Sequence, residues 1–294
     1  MRIKQEQIDI LSTIMVERLG KNADNVSLVS TFRSDKNPYL AKRIKDPDTL
    51  YKDLSGATAY YVVKSHKGEL LLYFSLKCGE LFVSLDIQKM DLAIKTCNAL
   101  NMLDKEPDSQ EYTQAQTFIR QNIQEIKNYW PDIDALLDDI STLKYKKEAY
   151  ILELQKEVNE NMQRVLRTFP AIEVVEFCAN DNARDAWNDL GLPQNRKMGE
   201  CVFWSFIVPI IQLVQKRVGC QYVYLFAADS SEERILENYY KNVLKFEQPK
   251  TLGANKPQYD FQCTFLCQEI NKLMREKDYF FENFNPDEEG QDIV

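Results

Sequence analysis

The chain has 294 residues and contains little histidine, little glycine and no excess of positive charge, and each shortage excludes a class of function. His66 is the only histidine, so a site built on several histidine ligands is excluded and we expect no metal centre. Nine glycines leave little room for chemistry that depends on several glycine-rich turns. The net charge of −8 disfavours non-specific nucleic-acid binding, which needs a basic surface.

Long apolar segments are also scarce. The longest, residues 201–214, is interrupted by Ser205, Pro209 and Gln212, so we expect it to be too short to cross a bilayer. The N-terminus lacks the apolar core of a secretory signal, and seven cysteines are an odd set without a paired framework. A hydrophobic fraction of 44% is enough to fill a core. These features predict a soluble cytoplasmic protein that does not bind a membrane.

Hydrophobic periodicity divides the chain into three regions, of which the middle one is helical and the outer two are mixed α/β. Strand patterns lie at residues 26–30, 59–63, 70–76, 172–179, 222–228 and 259–266. Helical spacing lies at residues 38–50, 90–97, 119–133, 136–169, 201–218 and 232–244. Gly68 suits a hairpin turn, which places His66 at an exposed loop tip. Pro209 is expected to kink its helix, and Ser230 or Ser231 to cap the one that follows.

One loop stands out between the strand at residues 172–179 and the apolar helix. It reads Arg196-Lys197-Met198-Gly199-Glu200-Cys201. A helix that begins beside a glycine presents free backbone N–H groups, which attract phosphate oxygens. The spacing resembles the Gln/Arg-x-x-Gly-x-Gly/Ala pyrophosphate loop of the GNAT N-acetyltransferase superfamily, and the preceding Phe177-Cys178-Ala179 resembles the fourth strand of its histone-type members.

Two further segments resemble the same superfamily. The strand at residues 222–228 and the helix that ends in Tyr239-Tyr240 before Phe246 look like the fifth strand and its Phe-Tyr-x-x-x-Gly-Phe ending. Gly56-Ala57-Thr58 is similar to the toxin-type branch. The resemblance implies an α/β (α+β) fold with a mixed central sheet, splayed fourth and fifth strands and an inserted three-helix segment.

The resemblance also implies that the chain has three segments. Residues 1–84 are the N-terminal part of the acetyltransferase domain, residues 85–168 the helical insertion, and residues 169–294 the C-terminal part with the CoA site and a terminal helix. The implied activity is direct transfer of an acetyl group from acetyl-CoA, the co-substrate, to an amine.

The resemblance also implies roles for individual residues. Tyr240, with Tyr239 as its neighbour, would protonate the departing thiolate, since a phenol of pKa near 10 stays protonated at neutral pH. Glu176 would take the proton of the amine. Cys178 as a nucleophile is an alternative, without a histidine near it in sequence. The implied cofactor-binding residues are Phe177, Cys178, Ala179, Arg196, Lys197, Met198, Gly199, Glu200 and Cys201.

The chain departs from the superfamily pattern at several positions. Cys201 replaces the last small residue of the loop, Lys245 replaces the glycine before the final phenylalanine, and the tyrosine segment is one residue longer than usual. Glu232 and Glu233 stand where many members carry an asparagine that contacts CoA.

The partners left open are an amine on a small molecule or on a peptide or protein. The acidic balance disfavours nucleic acid as the acceptor. An alternative function is a non-catalytic GNAT-fold interaction protein whose helical insertion binds a partner, or a second copy in a homodimer.

Overall fold

The computed structural model describes residues 1–85, 87–103, 109–130, 164–229, 231–249, 252–255 and 263–285. The chain forms two compact units, one made of Met1–Phe82 with Thr168–Val294 and the other of Val83–Arg167. The roles expected for residues 1–84, 85–168 and 169–294 stay predictions.

A seven-stranded mixed sheet forms the centre of the first unit, which confirms the predicted fold class. Its strands are β1 (Met15–Arg18), β2 (Ala59–Lys64), β3 (Leu70–Leu85), β4 (Arg164–Ala179), β5 (Tyr222–Ala227), β6 (Leu252–Ala254) and β7 (Thr264–Glu269). The order across the sheet is β1-β2-β3-β4-β5-β7, with β6 beside β3. β4 and β5 are parallel, whereas β1–β2, β2–β3 and β5–β7 are antiparallel.

The hairpin between β2 and β3 is as predicted. Its turn contains Gly68 at φ +82°, a backbone conformation that glycine adopts without strain. His66 is exposed in this turn, as expected.

The described residues form helices in both units. These helices are α1 (Gln5–Ser12), α2 (Ala23–Leu28), α3 (Pro38–Arg43), α4 (Pro47–Leu54), α5 (Ile87–Leu103), α6 (Gln110–Tyr129), α7 (Arg184–Asn188), α8 (Met198–Val218), α9 (Ile235–Asn238) and α10 (Ile270–Glu282). Of these, α5 and α6 are those of the second unit. The main core, which includes Phe74, Val223 and Phe203, joins one face to α8 and α10. A second cluster, which includes Tyr73 and Phe32, joins the other face to the helices that precede β2.

The strand expected at residues 26–30 is wrong. This segment forms the end of α2 and a 3₁₀ turn, Val29–Thr31. Asn22 accepts a hydrogen bond from the backbone N–H of Asn25 and so starts a helix there. The short apolar run favoured a strand on composition alone, but local capping decides its structure.

Helix α8 is continuous but irregular. A π-turn at Phe203–Ile207 immediately precedes Pro209, which has no N–H to donate to the preceding turn. The expected disturbance is therefore present as a π-turn, and Gly219 ends the helix at φ +75°, as predicted. In the described part of the chain, this one helix is long and apolar enough to span a membrane by length and composition, although its buried side chains belong to the main core.

Other boundaries differ from the predictions. The last predicted helix of the insertion falls mostly on residues 131–163, outside the described residues, and residues 164–169 belong to β4 instead. The helix predicted from residue 232 begins at Ile235, and the strand predicted at residues 259–266 is observed at Thr264–Glu269. In the second unit, α5 and α6 share an apolar cluster that includes Cys97, Ile126 and Trp130, as their spacing predicted.

Candidate functional site

β4 and β5 separate part of the way along their length. They pair from Ala171 opposite Tyr222 to Glu173 opposite Tyr224, and the two strands continue beyond the last of these pairs. A cavity of about 560 Å³ opens there, with Phe177 of β4 and Phe226 of β5 in its walls. The splayed fourth and fifth strands of the predicted fold are therefore present.

The alternation of β4 side chains between the two faces of the sheet shifts by one residue just before this cavity. Val174 and Phe177 both pack on the main core, whereas Cys178 belongs to the second cluster, on the other face. Glu176 also lies on that other face, because it bonds Tyr73 of the second cluster. Regular strand alternation would place Val174 and Glu176 on the same face, but the structure places them on opposite faces. A one-residue shift of this kind is what a β-bulge produces, and it coincides with the end of pairing.

The cavity lies wholly within the first unit and is bounded by α3, β4 and the segment from β5 to α9. It is lined by Asn37, Tyr39, Leu40, Arg43, Val175, Glu176, Phe177, Phe226, Ala228, Asp229, Ser231, Glu232, Leu236 and Tyr240. Of the predicted site residues, Glu176, Phe177 and Tyr240 are therefore brought together. No residue of the 196–201 loop lines this cavity.

Glu176 lies in the cavity wall with both carboxylate oxygens occupied. Its Oε1 lies 2.6 Å from Arg43 Nε and accepts a hydrogen bond from the Tyr60 hydroxyl, and its Oε2 accepts one from Tyr73 at 2.9 Å. Burial raises the pKa of Glu176, while Arg43 and the two hydroxyls act to lower it. Burial and the nearby Glu176 charge raise the pKa of Tyr60 to about 12, so this phenol stays a hydrogen-bond donor.

Helix α8 begins at the cavity end of β4 without a side-chain cap. Its N-cap residue, Lys197, is exposed and makes no capping hydrogen bond from its side chain. A Cβ at Gly199 would lie 3.0 Å from the Tyr239 hydroxyl and 3.5 Å from the Phe177 ring. The glycine therefore allows the first turn of α8 to approach β4 and α9 closely. The first backbone N–H groups of such a turn have no partner within the helix.

Arg196 occupies a different place from the one its motif suggests. Its side chain donates to the backbone carbonyls of Asn283 and Phe284, which follow α10. The guanidinium also lies 3.3 Å from Glu200 and over the ring of Phe280. In this arrangement Arg196 ties the loop to the C-terminal end of α10, and its charge is matched inside the protein.

The remaining loop and strand residues differ in exposure. Cys201 is fully buried in the main core, Met198 and Glu200 are half-buried, and Ala179 is exposed. Burial raises the pKa of the Cys178 thiol to about 11. A thiol that is protonated at neutral pH is a poor nucleophile, which weighs against the alternative role of Cys178.

The two adjacent tyrosines face different surroundings. Tyr240 lines the cavity, and its hydroxyl has no hydrogen-bond partner among the described residues. The Tyr239 hydroxyl instead points at Gly199 of α8. Burial raises the pKa of both phenols, so both stay protonated at neutral pH.

The extra residue in the tyrosine segment has a structural explanation. Residues Tyr239–Val243 form a π-turn, in which one additional residue fits into the helix. Lys245, which stands where the superfamily pattern has glycine, has φ +63°. The backbone conformation that favours glycine is therefore kept although the glycine is not.

Helix α9 has the cap that α8 lacks. Asp229 Oδ2 accepts hydrogen bonds from the backbone N–H groups of Leu236 at 2.7 Å and Glu237 at 3.0 Å, while Ser231 donates its hydroxyl to Oδ1. Burial acts to raise the pKa of Asp229, but these hydrogen bonds outweigh it and lower the pKa below its ordinary value. Ser231 accepts from Ile235, so the predicted serine takes part, but Asp229 makes most of the cap.

Two contacts around the cavity were not predicted from the sequence. Arg43 lies far from Glu176 in the chain, and no local pattern indicates their ion pair. Asp229 directly follows a strand and precedes Ser230 and Ser231, which is a recognisable helix-start signal that was assigned to the serines.

No family model and no curated protein sequence matches the chain. Solved structures similar to it include toxins. A tyrosine-to-phenylalanine mutant of the AtaT toxin has a TM-score of 0.45 and 8% identity, and the match covers 90% of this chain and 93% of that one. AtaTR bound with AcCoA has a TM-score of 0.44 and 9% identity, and the match covers 90% of this chain and 97% of that one. AtaT complexed with acetyl-methionyl-tRNAfMet has a TM-score of 0.43 and 9% identity, and the match covers 90% of this chain and 98% of that one. At such identities and TM-scores, these neighbours assign neither a family nor an activity to this chain.

Proposed function

We propose that the chain is an acetyl-CoA-dependent N-acetyltransferase that moves an acetyl group directly to an amine. The observation that carries the proposal is the parting of β4 and β5 around a cavity lined by Tyr240, whose hydroxyl has no hydrogen-bond partner among the described residues. Beside it, the uncapped start of α8 supplies the backbone N–H groups that a phosphate needs.

The pyrophosphate of acetyl-CoA and the amine acceptor are assigned to two different parts of the site. The α8 N-terminus does not line the cavity, but Phe177 contacts both, because its ring lies beside Gly199 and also forms part of the cavity wall. We therefore assign the N–H groups of Met198, Gly199 and Glu200 to the pyrophosphate. The backbone of residues 177–179 is assigned to the pantetheine arm, and the cavity to the acetyl group and the acceptor.

Acetyl-CoA supplies an activated thioester, whose carbonyl carbon forms a C–N bond with the amine while the C–S bond breaks. Tyr240 then donates its phenolic proton to the thiolate sulfur. Burial raises the pKa of Tyr240, so the phenol is protonated at neutral pH and carries the proton that the thiolate needs. Tyr239, whose hydroxyl faces Gly199, helps to shape the approach of α8 and α9.

The amine must lose its proton before or during attack. Glu176 is the sequence-based candidate for the base and lies in the cavity wall. Its two oxygens hold Arg43, Tyr60 and Tyr73, so deprotonation of the amine by Glu176 requires one of these partners to move. Its role as a base stays a prediction, and a Glu176→Gln variant with an unchanged pH–rate profile would remove it.

Acceptor and partner are also part of the proposal. Similar structures include one bound to acetyl-methionyl-tRNAfMet and one of AtaTR bound with AcCoA. For this chain the net charge of −8 favours a cationic or small amine over a nucleic acid.

The direct test is calorimetry of the full chain with acetyl-CoA, followed by chromatographic detection of CoA released in the presence of a mixture of amines. We expect saturable binding and amine-dependent release of CoA. Coenzyme A without an acetyl group serves as the binding control, because it shares the phosphates. No heat of binding at millimolar acetyl-CoA would refute the proposal and leave the interaction-protein alternative.

A further inference from the structure

The cavity between β4 and β5 has a negative lining. Among its described lining residues there are three carboxylates, Glu176, Asp229 and Glu232, and a single cation, Arg43. Arg43 forms an ion pair with Glu176, whose Oε1 lies 2.6 Å from Arg43 Nε, so it offers no unpaired positive charge to a ligand. A negatively lined cavity concentrates cations and repels anions.

Two of the three carboxylates are fully engaged by the protein. Glu176 forms an ion pair with Arg43 and accepts hydrogen bonds from Tyr60 and Tyr73. Asp229 is engaged by the start of α9 and by Ser231, as described above. Each has a structural role that a ligand would have to displace.

Glu232 is different. It lines the cavity and is exposed, and it makes no hydrogen bond or ion pair with any described residue. Its neighbour Glu233 is also exposed, and its side chain has no partner within the described ranges, but it does not line the cavity. The chain therefore places one unengaged carboxylate at the cavity and a second, otherwise similar one beside it and outside.

The rest of the lining is largely apolar. Phe177, Phe226, Leu40 and Leu236 form walls that suit methylene groups, and the aromatic rings attract alkylammonium ions through their faces. The volume of about 560 Å³ is in the range of small-molecule sites. Apolar walls with one free carboxylate match an aliphatic chain that carries positive charge.

We propose that the acceptor is an aliphatic di- or polyamine, one ammonium of which pairs with Glu232 while another amine of the same molecule lies near Tyr240. That the cavity binds a diamine follows from its lining alone. That this diamine accepts the acetyl group rests on the proposed function. Glu232 acts as a specificity residue, since it holds a group of the substrate that does not react.

The test compares two ligands and two variants of the full chain by calorimetry without acetyl-CoA. Cadaverine and pentylamine share the same carbon chain and differ by one ammonium. We expect the wild-type chain to bind cadaverine about fivefold more tightly, the upper range for a single solvent-accessible ion pair. Glu232→Gln should remove this preference, while Glu233→Gln, which makes the same charge change outside the cavity, should keep it.

The inference is overturned if the wild-type chain shows no preference for cadaverine, if Glu232→Gln retains the preference, or if Glu233→Gln loses it equally. Acetyl-CoA binding measured on the same samples separates this inference from the proposed function. A preference for cadaverine that depends on Glu232, without any binding of acetyl-CoA, would support the diamine site and refute the proposed acetyltransferase activity. Release of CoA at equal kcat/KM for cadaverine and pentylamine would support the enzyme and overturn the diamine acceptor.

Discussion

Helices α8 and α9 follow the two strands that part, β4 and β5, and their first turns differ. The start of α9 is closed by Asp229, whose carboxylate accepts two backbone N–H groups. The start of α8 has no side-chain cap, and Gly199 keeps it close to Phe177. An anion at a helix N-terminus is favoured by the free N–H groups and the helix dipole. The chain thus supplies its own anion to α9 and leaves α8 available for a ligand's phosphate.

The largest effect is expected from Gly199→Glu. The new side chain starts 3.0 Å from the Tyr239 hydroxyl and adds a negative charge where the phosphate would lie, so acetyl-CoA binding should be abolished. Calorimetry measures the binding, and the melting temperature reports whether the variant still folds. Gly199→Ala is the matched control, because it adds the Cβ without the charge and should retain part of the affinity. Undiminished binding by Gly199→Glu would show that α8 is not the phosphate site.

Tyr240→Phe should produce the next largest effect. This variant removes the hydroxyl of a residue that lines the cavity and keeps the ring, so kcat for CoA release should fall about 100-fold, as for loss of a general acid. The dissociation constant for acetyl-CoA should hardly change. Tyr239→Phe is the control, since its hydroxyl faces Gly199, and it should retain most of the turnover. Equal losses in the two variants would contradict the assignment of Tyr240 as the acid.

Features of the site that depend on neighbouring residues could be predicted from the sequence. Features that depend on contacts between distant residues could not. β4, β5 and the β2–β3 hairpin follow from local apolar patterns, and Gly219 and Gly68 mark their turns as expected. The phase shift between Val174 and Glu176 has no local signal, because it depends on where β5 stops pairing. The same is true of the Arg43–Glu176 ion pair.

The 196–201 loop shows where a local pattern stops being informative. Its assignment to a pyrophosphate rests on the resemblance and stays a prediction. The structure shows a helix start without a side-chain cap at Lys197 and a close approach of Gly199 to Tyr239 and Phe177. Arg196 is engaged by the carbonyls of Asn283 and Phe284, which are far away in the chain, so no local pattern could indicate this contact.

Lys197→Asp should make α8 resemble α9. Lys197 has the extended backbone of an N-cap residue, at φ −72° and ψ 144°, so an aspartate there can accept from the first turn. We expect the free energy of unfolding to rise by about 0.5–1 kcal/mol and acetyl-CoA affinity to fall about tenfold, because the carboxylate competes with the phosphate. Lys197→Ala controls for the lost lysine and should give no stabilisation. If both variants bind acetyl-CoA equally, the competition does not occur.

The smallest effect is expected from Asp229→Ala, which opens the start of α9. Loss of the cap should lower the free energy of unfolding by about 1 kcal/mol at neutral pH, measured by urea denaturation, with Glu233→Ala as an exposed control of no effect. The pKa of Asp229 is lowered in the folded chain, so its contribution is present above the ordinary value of 3.8 and is lost as the pH falls through the lower folded value. The difference between wild type and Asp229→Ala should therefore begin to shrink below about pH 3.8 and disappear below the lower pKa of the folded chain, where the cap becomes protonated. A difference that stays constant from pH 7 to pH 3 would mean that Asp229 stabilises α9 by packing instead of by its charge, and the contrast between the two helices would no longer be electrostatic.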